Sequence, residues 1–600
     1  MTAADTNPLL PDRDVDFLLY EVHDAAGLCA LPAFSIHDRA TFELTTQSFR
    51  RVSREVLFPA LRETDATPPA LRDGAVALHP RMHRMFAALA EAGVLAATRP
   101  VDVGGQQLPA LVSNAAGAYL CAGNASAAGL AMLTTEAAHL LESFGSEQLR
   151  ARYMHDLYAG RATGTMCLTE PHAGSSLGDI TTKAVPHGDG SHRITGSKIF
   201  ISGGEHDLGV NIVHMVLARI EGAPDGSRGV SLFCVPKLRP DGDALVDNDV
   251  RCAGVLHKIG WRALPSVVLN LGESGDCHGW LVGAPGRGLP QMFQMMNAAR
   301  IGVGLSAAAV AYAAYQESLL YARSRPQGRS LTGRDAQGPQ VLITDHPDVR
   351  RMLLRQKSIV EGALSLVLCA ARYADVSEHT TDAAEKRRAR LVLDLLTPVA
   401  KTFPAEKGFE ANALAVQILG GYGYTSEYLP ELWMREQKLN SIHEGTTGIQ
   451  GLDLLGRKVV AGGGEALSVW SDDVRAAIAK AHEAGVNPAW CAALDAAVND
   501  VATLTMELGA RGLSGDVTGM LGHSADYMDL FSTVCVAWQW MLQAAAAKRG
   551  LDAAPGDGFY QAKLRAAQYW FATELPRVDH LAKLCRDGED SYLTLDADWL

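Results

Sequence analysis

Apolar residues recur with helical spacing over the first part of the chain. Between Phe42 and Arg62, and again between Met82 and Ala92, they repeat about every 3.6 residues, which predicts amphipathic helices. Proline and glycine residues interrupt this pattern within residues 94–108 and predict a loop there. We therefore expect residues 36–160 to form a helical domain. An N-terminal arm, residues 1–35, precedes it and is expected to lie over the domains rather than to fold alone.

The pattern changes between residues 161 and 285. Helical periodicity gives way to short runs of β-branched and other apolar residues, bounded by Gly, Pro, Asp and Asn. The clearest of these runs are residues 193–194, 212–217, 230–235 and 267–271. Turn residues such as Gly188-Asp189-Gly190 separate them. We therefore predict a small antiparallel β-domain over residues 161–285.

Helical patterning resumes after residue 285. The longest helical runs are residues 289–324, 346–375, 383–403 and 406–419. A glycine-rich hinge at residues 461–464 precedes a further Ala-rich helical stretch. These runs predict a helical bundle over residues 286–457 and an additional helical domain over residues 458–600. The predicted fold class is mainly α with a central antiparallel β-domain and an extra C-terminal helical domain.

Charge excludes one class of partner. The 600 residues carry a net charge of −13 with a pI of about 5.8, whereas binding of nucleic acid requires a basic surface. Residues 470–600 contain 10 Lys and Arg against 18 Asp and Glu, a net charge of −8. A repurposed, DNA-binding version of this C-terminal region is therefore disfavoured.

The ten cysteines form no CxxC pair and are expected to be reduced thiols of a cytoplasmic protein. The first residues, 1–16, lack the charged-then-apolar pattern of a signal peptide. The most apolar run of small residues, 301–315, is shorter than a bilayer span. The 19 histidines show no spacing typical of metal ligands, so we predict no metal site. No integral membrane contact is expected either.

One carboxylate stands out in the helical part of the chain. Glu444 lies directly before Gly445-Thr446-Thr447-Gly448, in a neighbourhood that is otherwise apolar and helical. Shielding from water would raise the pKa of such a carboxyl toward the pH at which proton abstraction is most efficient. Glycine backbone can approach a ligand closely, and the Thr446 hydroxyl can donate a hydrogen bond. The alternative is an ordinary helix-capping turn with a solvated Glu.

Five stretches together resemble the acyl-CoA dehydrogenase family of flavoenzymes, over about residues 40–457. These stretches are residues 166–175 (MCLTEPHAGS), 196–204 (GSKIFISGG), 325–329 (RPQGR), 417–423 (QILGGYG) and 440–450 (NSIHEGTTGIQ). The rest of the chain resembles the long subgroup of this family, which carries an extra C-terminal helical domain. The resemblance implies oxidation of an acyl-CoA thioester to its 2,3-enoyl form. In that reaction Glu444 removes the α-proton and N5 of an FAD accepts the β-hydride.

The resemblance also implies roles for other residues. In some relatives the base lies on another helix, at a position matching Ala299 or Arg300, but no Asp or Glu occurs between Gly286 and Gln316. Residues expected to bind FAD are Met166, Leu168, Thr169, Phe200, Ser202, Arg325, Gln417, Gly420, Gly421, Thr446 and Gly448. Residues expected near the CoA thioester are Ser175, Asn297, Arg300 and Gly445. The expected partners are an acyl-CoA, an electron-transfer flavoprotein and a second subunit, in a homodimer or a dimer of dimers.

Several alternatives stay open at this point. Phe200 could belong to the core of the β-domain, and Arg300 could be a solvated charge on a helix. Residues 169–171 could form a simple turn between a loop and a strand, and the Gly420-Gly421 pair could only end a helix. At the level of function, an acyl-CoA oxidase that uses oxygen shares the same base and flavin site. A scaffold with a vestigial flavin site is a further alternative.

Overall fold

Most of the chain is helical, and a run of strands occupies its middle. We describe it from a computed structural model, which covers residues 7–331 and 337–600 and gives only the backbone of residues 293–297. Short 3-10 and π segments join several of the α-helices. The helices are α1 (Asp12–Asp16), α2 (Arg39–Val52), α3 (Leu61–Ala66), α4 (Pro80–Glu91), α5 (Ala110–Gly123), α6 (Ala125–Phe144), α7 (Glu147–Leu149), α8 (His155–Tyr158), α9 (Gly288–Ser324), α10 (Pro347–His379), α11 (Ala383–Leu419), α12 (Pro430–Lys438), α13 (Thr447–Asp453), α14 (Glu465–Glu483), α15 (Pro488–Leu513), α16 (Val517–Leu521), α17 (Ser524–Ala553), α18 (Gly558–Tyr569), α19 (Arg577–Asp587) and α20 (Ser591–Thr594).

The strands form one large sheet and two small hairpins. They are β1 (Ala70–Arg72), β2 (Ala75–Ala77), β3 (Thr163–Cys167), β4 (Lys183–Pro186), β5 (His192–Ser202), β6 (Ile212–Ile220), β7 (Val230–Pro236), β8 (Leu238–Asp241), β9 (Ala244–Asp247), β10 (Val250–Val255), β11 (Ser266–Leu271) and β12 (His278–Val282). The order in the large sheet is β10-β11-β5-β12-β7-β6-β3, and β4 pairs with both β5 and β6. The hairpins are β1-β2 and β8-β9.

The predicted fold class is confirmed: the chain is mainly helical with a central β-sheet. Most strand pairs are antiparallel, but β6 pairs in parallel with β3 and with β4. Apolar alternation in one strand does not specify the direction of its neighbour, so the two parallel pairings are not predictable from the pattern. The hairpin β1-β2 also lies inside a stretch that the sequence pattern assigns to helices.

The sequence pattern predicts that one helix ends and another begins near Pro404. This prediction is wrong, because α11 continues through Pro404. Pro404 has no N–H to donate to the carbonyl of Ala400, one turn earlier. Gly304 of α9 packs against that carbonyl so closely that an added Cβ would lie 2.0 Å from the Ala400 oxygen. Gln437 Nε2 donates to the Pro404 carbonyl at 2.8 Å. Packing against neighbouring helices therefore outweighs the local preference of proline.

The chain divides into two compact units. One contains residues 40–108 and 119–302, and so includes the large sheet. The other contains residues 1–39, 109–118 and 303–600. In this second unit the C-terminal helices pack directly on the bundle helices, since Trp540 Nε1 donates to the Ser358 carbonyl at 3.0 Å. Gln539 and Ser365 are hydrogen-bonded there as well.

The N-terminal arm lies on the helices of the second unit, as expected from its sequence. Its apolar side chains Leu9, Leu10 and Phe17 are buried. Asn7 Nδ2 donates to Glu317 Oε2 at 3.0 Å. Asp14 Oδ1 lies 2.5 Å from Nζ of Lys563 in α18. These contacts tie the start of the chain to its C-terminal helices.

Two helical stretches, Ala298–Ser324 and Val517–Ala553, are long and apolar enough to cross a bilayer. The first extends well beyond residues 301–315, so the expectation that this apolar region falls short of a span is wrong. In the most apolar windows, 89% and 94% of the residues are buried inside the protein. Buried core helices of water-soluble proteins meet the same criteria, so length and composition alone do not indicate a membrane location.

Candidate functional site

Glu444 occupies a strained turn in the second unit. A 3-10 segment, Leu439–Ser441, precedes it and α13 follows. The backbone φ is +53° at Glu444 and +88° at Gly445. A left-handed conformation costs a non-glycine residue about 1–2 kcal/mol, and residues strained in this way cluster at active sites. The Glu444 side chain is half-buried, which rules out the alternative of a fully solvated carboxylate.

Two buried side chains fix the carbonyls of this turn. Lys401 Nζ, on α11, donates to the Gly445 oxygen at 2.7 Å. Gln450 Nε2, on α13, donates to the Glu444 oxygen at 2.9 Å. Both side chains are fully buried, where hydrogen bonds from charged groups are strong. Lys401 was not predicted as a site residue, and its only signal in the sequence is a single cation between two prolines of an apolar helix.

The residue before Glu444 carries no charge at neutral pH. Burial, reinforced by the positive charge of Lys401, lowers the pKa of His443 to about 3. A neutral imidazole provides no cation that would hold the neighbouring carboxylate in an ion pair. The turn therefore presents a carboxylate next to a neutral, half-buried imidazole.

The three residues after Glu444 have different structural roles. Gly445 is favoured by the fold, because its φ of +88° is a conformation that side chains with a Cβ rarely adopt. Thr446 caps α13, since its hydroxyl oxygen accepts a hydrogen bond from the Ile449 N–H at 3.4 Å. The helix-capping alternative therefore holds for Thr446. Gly448 is exposed, and an added Cβ would have no neighbour within 4 Å.

A second group of predicted residues lies together on the surface of the same unit. The Arg325 guanidinium, after the end of α9, is 5.9 Å from the ring centroid of Tyr422. Tyr422 belongs to the 3-10 segment Gly420–Tyr424, which ends α11. Gly420 has φ +59° and ψ −133°, a conformation essentially restricted to glycine. We call Arg325, Gln417, Gly420, Gly421 and Tyr422 the Arg325 surface; all five are exposed.

The Arg325 surface has the properties of a binding site for an anionic group. A Cβ added at Gly420 or Gly421 would have no neighbour within 4 Å, so the backbone there is open to a ligand. The planar guanidinium suits phosphate oxygens. The glycine pair also ends α11, so the helix-stop interpretation and the ligand interpretation are compatible.

In the first unit, a buried ion pair fixes the loop that follows β3. Lys198 Nζ lies 2.8 Å from Glu170 Oε1 and donates to the Leu168 carbonyl at 3.1 Å. Thr181 and Thr182 each donate to Glu170 through backbone N–H and hydroxyl, at 2.6–3.0 Å. Burial would raise the pKa of Glu170, but the charge of Lys198 and these hydrogen bonds outweigh it and lower the pKa to about 2. The turn at residues 169–171 is therefore held rigidly.

Phe200 is the most unusual side chain of the sheet. It has φ +62° and is 64% exposed, although it is a large aromatic residue inside a strand. The register between β5 and β11 shifts at this point, because Ile201 pairs with Val267 while Lys198 pairs with Leu269. This bulge turns the ring outward. Phe200 is therefore not part of the β-domain core, and the alternative that assigned it there is wrong.

The other residues of this unit that are predicted to contact the flavin lie close along the chain to Phe200 or to Glu170. β3 is the last strand in the sheet order. Met166, at the end of β3, and Leu168 are partly exposed and pack against the sheet core. Thr169 is half-buried, and its carbonyl accepts a hydrogen bond from the Ile199 N–H at 3.0 Å, next to Phe200. Ser202, at the end of β5, is half-buried as well.

Cys167, between Met166 and Leu168, is fully buried, and burial raises the pKa of its thiol to about 12. It is therefore a structural thiol. All ten cysteines lie within the described residues and are free.

The residues predicted to contact CoA differ in how far their side chains are exposed. Ser175 is exposed, after the bridge between Glu170 and Ala173. Arg300 on α9 is only 6% exposed, so the alternative of a solvated helix charge is wrong. The side chain of Asn297 lies outside the described residues. Contacts of these three residues with CoA stay predictions.

Comparison with known protein families matches nearly the whole chain to four consecutive domains. Residues 41–161 match the acyl-CoA dehydrogenase N-terminal domain and residues 165–271 its middle domain. Residues 286–459 match the acyl-CoA dehydrogenase C-terminal domain. Residues 470–596 match a domain described as acetyl-CoA dehydrogenase C-terminal like.

Individual proteins are similar over the full length. The chain is 35% identical to the 3-methylmercaptopropionyl-CoA dehydrogenase of Ruegeria pomeroyi, across 97% of this chain and 99% of that protein. It is 33% identical to the broad-specificity linear acyl-CoA dehydrogenase FadE5 of Mycobacterium tuberculosis, across 97% and 98%. Among solved structures, an acyl-CoA dehydrogenase from Bacillus anthracis, complexed with FAD, has the same fold with a TM-score of 0.73. That structure is 19% identical and covers 93% of this chain and 89% of its own.

Proposed function

Since this chain belongs to the acyl-CoA dehydrogenase family, we propose that Glu444 is the base that removes the α-proton of its acyl-CoA substrate. The chain is an acyl-CoA dehydrogenase, an oxidoreductase acting on CH–CH groups, and members of the family are flavoproteins.

The observation that carries the proposal is the turn at Glu444. Its two carbonyls are held by the buried donors Lys401 and Gln450, and its backbone is strained at Glu444, which has a φ of +53°. A rigid turn holds a general base at a fixed position, which lowers the cost of reaching the geometry for proton transfer. A thioester α-proton is weakly acidic, so the base must be shielded from water and aimed at it. His443 is neutral beside it and supplies no competing cation.

Residues predicted to bind FAD occur in each of the two units. We propose that Phe200 provides an aromatic wall for the flavin ring, with Ser202, Thr169, Met166 and Leu168 beside it. When bound, the flavin would supply the acceptor for the β-hydride, which no amino-acid side chain can be. Thr446 and Gly448 are proposed as further FAD contacts. The strained backbone of Phe200 supports the assignment, because non-glycine residues with positive φ cluster at ligand and active sites.

The Arg325 surface is proposed to bind the FAD diphosphate of a neighbouring subunit. Its cation and open glycine backbone suit an anionic group, and Gln417 lies one turn before the glycines. Replacement of Arg325 by Ala should weaken FAD binding about 10- to 100-fold, because one charge-assisted hydrogen bond is worth about 1.5–3 kcal/mol. Titration of the FAD-depleted enzyme with FAD measures this change. Arg350→Ala, which removes another exposed arginine of the same unit, is the matched control, and equal affinities for both variants would refute the assignment.

The electron acceptor is proposed to be an electron-transfer flavoprotein, and the substrate an acyl-CoA of undetermined chain length. The enzyme is further proposed to act in the cytoplasm as a homodimer or a dimer of dimers. No observation favours the oxidase alternative, in which oxygen accepts the electrons.

A panel of acyl-CoA thioesters tests the function as a whole. Under anaerobic conditions, at least one linear or thioether acyl-CoA should bleach the bound flavin within seconds. Admission of air should then restore the colour only slowly, while an artificial acceptor should restore it at once. A 2,2-dimethylacyl-CoA, which has no α-hydrogen, is the matched control and should leave the flavin oxidised. Rapid reoxidation by air would establish an oxidase instead, and bleaching by the control would refute α-proton abstraction.

A further inference from the structure

Two histidines and one aspartate meet at the end of the sheet away from Phe200. His187 and Asp189 belong to the turn between β4 and β5, and His278 is the first residue of β12. We call these three residues the histidine–aspartate cluster. The ligand atoms of the three all lie within 4.8 Å of one another. Within residues 7–331 and 337–600, no other group of His, Cys, Asp and Glu side chains meets this condition.

The fold brings the three residues together through strand pairing. β5 lies between β4 and β12, so that its first residue, His192, pairs with Pro186 on one side and with Gly279 on the other. The chain leaves β4 directly before His187 and enters β12 at His278. Both histidines therefore lie beside the start of β5.

The turn that carries His187 and Asp189 is tight and well defined. The His187 N–H donates to the Ser191 carbonyl at 2.9 Å, and the Gly190 N–H donates to the His187 carbonyl at 3.2 Å. Gly190 has φ +84°, which favours glycine. Because the turn places His187 and Asp189 two residues apart, both side chains can point to the same side.

The contacts within the cluster already resemble a set of metal ligands. His187 Nδ1 lies 3.0 Å from Asp189 Oδ1, and His278 Nδ1 lies 3.7 Å from Asp189 Oδ2. The Ser191 hydroxyl lies 2.8 Å from His278 Nδ1 and 2.6 Å from Asp189 Oδ1. Nitrogen atoms of two histidines therefore lie next to oxygen atoms of Asp189 and Ser191.

We propose that the histidine–aspartate cluster binds one divalent transition-metal ion, with Zn²⁺ as the best match. Two imidazole nitrogens and one carboxylate oxygen are ligands that Zn²⁺ prefers. Ser191 or water completes a tetrahedral shell. Bonds of about 2.0–2.2 Å place ligand atoms about 3.4 Å apart, so the His187–Asp189 pair at 3.0 Å opens slightly on binding, while the widest pair, within 4.8 Å, closes. His187 and Asp189 can make this movement, since their side chains are 41% and 52% exposed.

The neighbouring charges limit the affinity without blocking the site. Arg193 and Arg239 lie close by, but both form ion pairs with Asp276. Asp276 lies on the far side of the His278 ring, 3.5 Å from Nε2, while the proposed ion lies on the Nδ1 side. These three charged residues sum to one positive charge, so we expect binding in the micromolar range rather than tighter.

A metal ion at this position would join the β4–β5 turn to β12. Phe200 lies eight residues after the first residue of β5, about 26 Å away along an extended strand. The ion is therefore not part of the proposed oxidation chemistry. Its effect is on the stability of the sheet, because an ion that binds only the folded chain stabilises it. The proposal does not rest on the proposed function, and the two can fail separately.

Titration of the untagged, flavin-loaded enzyme with Zn²⁺ after treatment with a chelator tests the proposal. We expect one Zn²⁺ per chain with micromolar affinity, absorption bands of tetrahedral Co²⁺ when cobalt replaces zinc, and no binding of Mg²⁺ or Ca²⁺. His187→Ala and Asp189→Asn should each lower the affinity at least about tenfold, as losses at metal sites typically do. Both side chains are exposed on a turn, so these variants should fold and keep their dehydrogenase activity.

The matched control is His83→Ala. His83 forms an exposed pair with Asp207, at 3.1 Å, but this pair offers only two ligands. Its replacement should leave Zn²⁺ binding and the cobalt spectrum unchanged. Absence of stoichiometric Zn²⁺ binding would overturn the proposal. Equal binding by the His187 and Asp189 variants, or loss of binding in the His83 variant, would overturn it as well.

Discussion

Replacement of Glu444 by Gln is expected to lower kcat about 10³-fold, which corresponds to about 4 kcal/mol of lost transition-state stabilisation. An amide has nearly the same shape as the carboxylate but cannot accept the α-proton. The turn should persist, because Lys401 and Gln450 hold the backbone carbonyls rather than the side chain. The purified variant should therefore remain yellow and bind acyl-CoA, and stopped-flow bleaching of the flavin under anaerobic conditions measures its rate.

Glu406→Gln is the control for this experiment. Glu406 is another half-buried carboxylate near the turn, and it accepts a hydrogen bond from the Thr447 hydroxyl. Its replacement should change the rate of flavin bleaching by less than about tenfold. If the Glu406 variant lost as much activity as the Glu444 variant, or if the Glu444 variant stayed within tenfold of the parent, the base would lie elsewhere.

Replacement of Lys563 by Met is expected to lower the free energy of unfolding by about 3–5 kcal/mol. Lys563 Nζ lies 2.5 Å from Asp14 Oδ1 and 2.9 Å from Glu361 Oε2, and all three side chains are buried. Lys357 pairs with Glu361 from the other side. The two negative charges of Asp14 and Glu361 therefore equal the two positive charges of Lys563 and Lys357 in this buried group. Methionine fills a similar volume but leaves a carboxylate buried without its cation.

The pH dependence of this effect follows from Asp14. Burial would raise the pKa of Asp14, but the charges of Lys563 and Lys357 outweigh it and hold the pKa below its ordinary value of 3.8. A carboxyl with a lowered pKa in the folded state contributes stability above the unfolded pKa and loses it as the pH falls. The difference between the parent and Lys563→Met should therefore be largest near neutral pH and shrink as the pH falls below about 4.

Urea unfolding at several pH values measures both effects. Lys583→Met on α19, which removes an exposed lysine, is the control and should change stability by less than about 0.5 kcal/mol. The double variant Lys563→Met, Asp14→Asn should recover part of the loss, because it removes the uncompensated carboxylate. If Lys563→Met were as stable as the parent at neutral pH, the cluster would not hold the N-terminal arm as described.

Local patterns in the sequence predicted much of the helical architecture. Periodicity correctly located α4, α9 and α10, and the glycines at residues 461–464 mark a break that the structure contains. Periodicity failed at Pro404, where packing against Gly304 and a hydrogen bond from Gln437 to the Pro404 carbonyl support a continuous helix. Such compensation comes from residues far away in the sequence, and no local pattern contains it.

The candidate site was predictable to different degrees. Glu444 and Arg325 belong to short motifs, so their positions follow from the sequence. The anchor Lys401 and the ion pair between Glu170 and Lys198 depend on residues that meet only in three dimensions. The spacing of the histidines predicts no metal site and does not reveal the histidine–aspartate cluster. Strand pairing, rather than sequence spacing, brings His278 next to the turn that carries the other two residues.

The exchange of α-protons with solvent tests the central claim most directly. An acyl-CoA analogue with sulfur in place of the β-carbon has no β-hydride to lose, so only removal of the α-proton can occur. In D₂O the parent enzyme should incorporate deuterium at the α-carbon of this analogue, as seen by mass spectrometry. The Glu444→Gln enzyme, loaded with flavin, should incorporate almost none. Incorporation by the variant at the rate of the parent would contradict the assignment of Glu444 as the base.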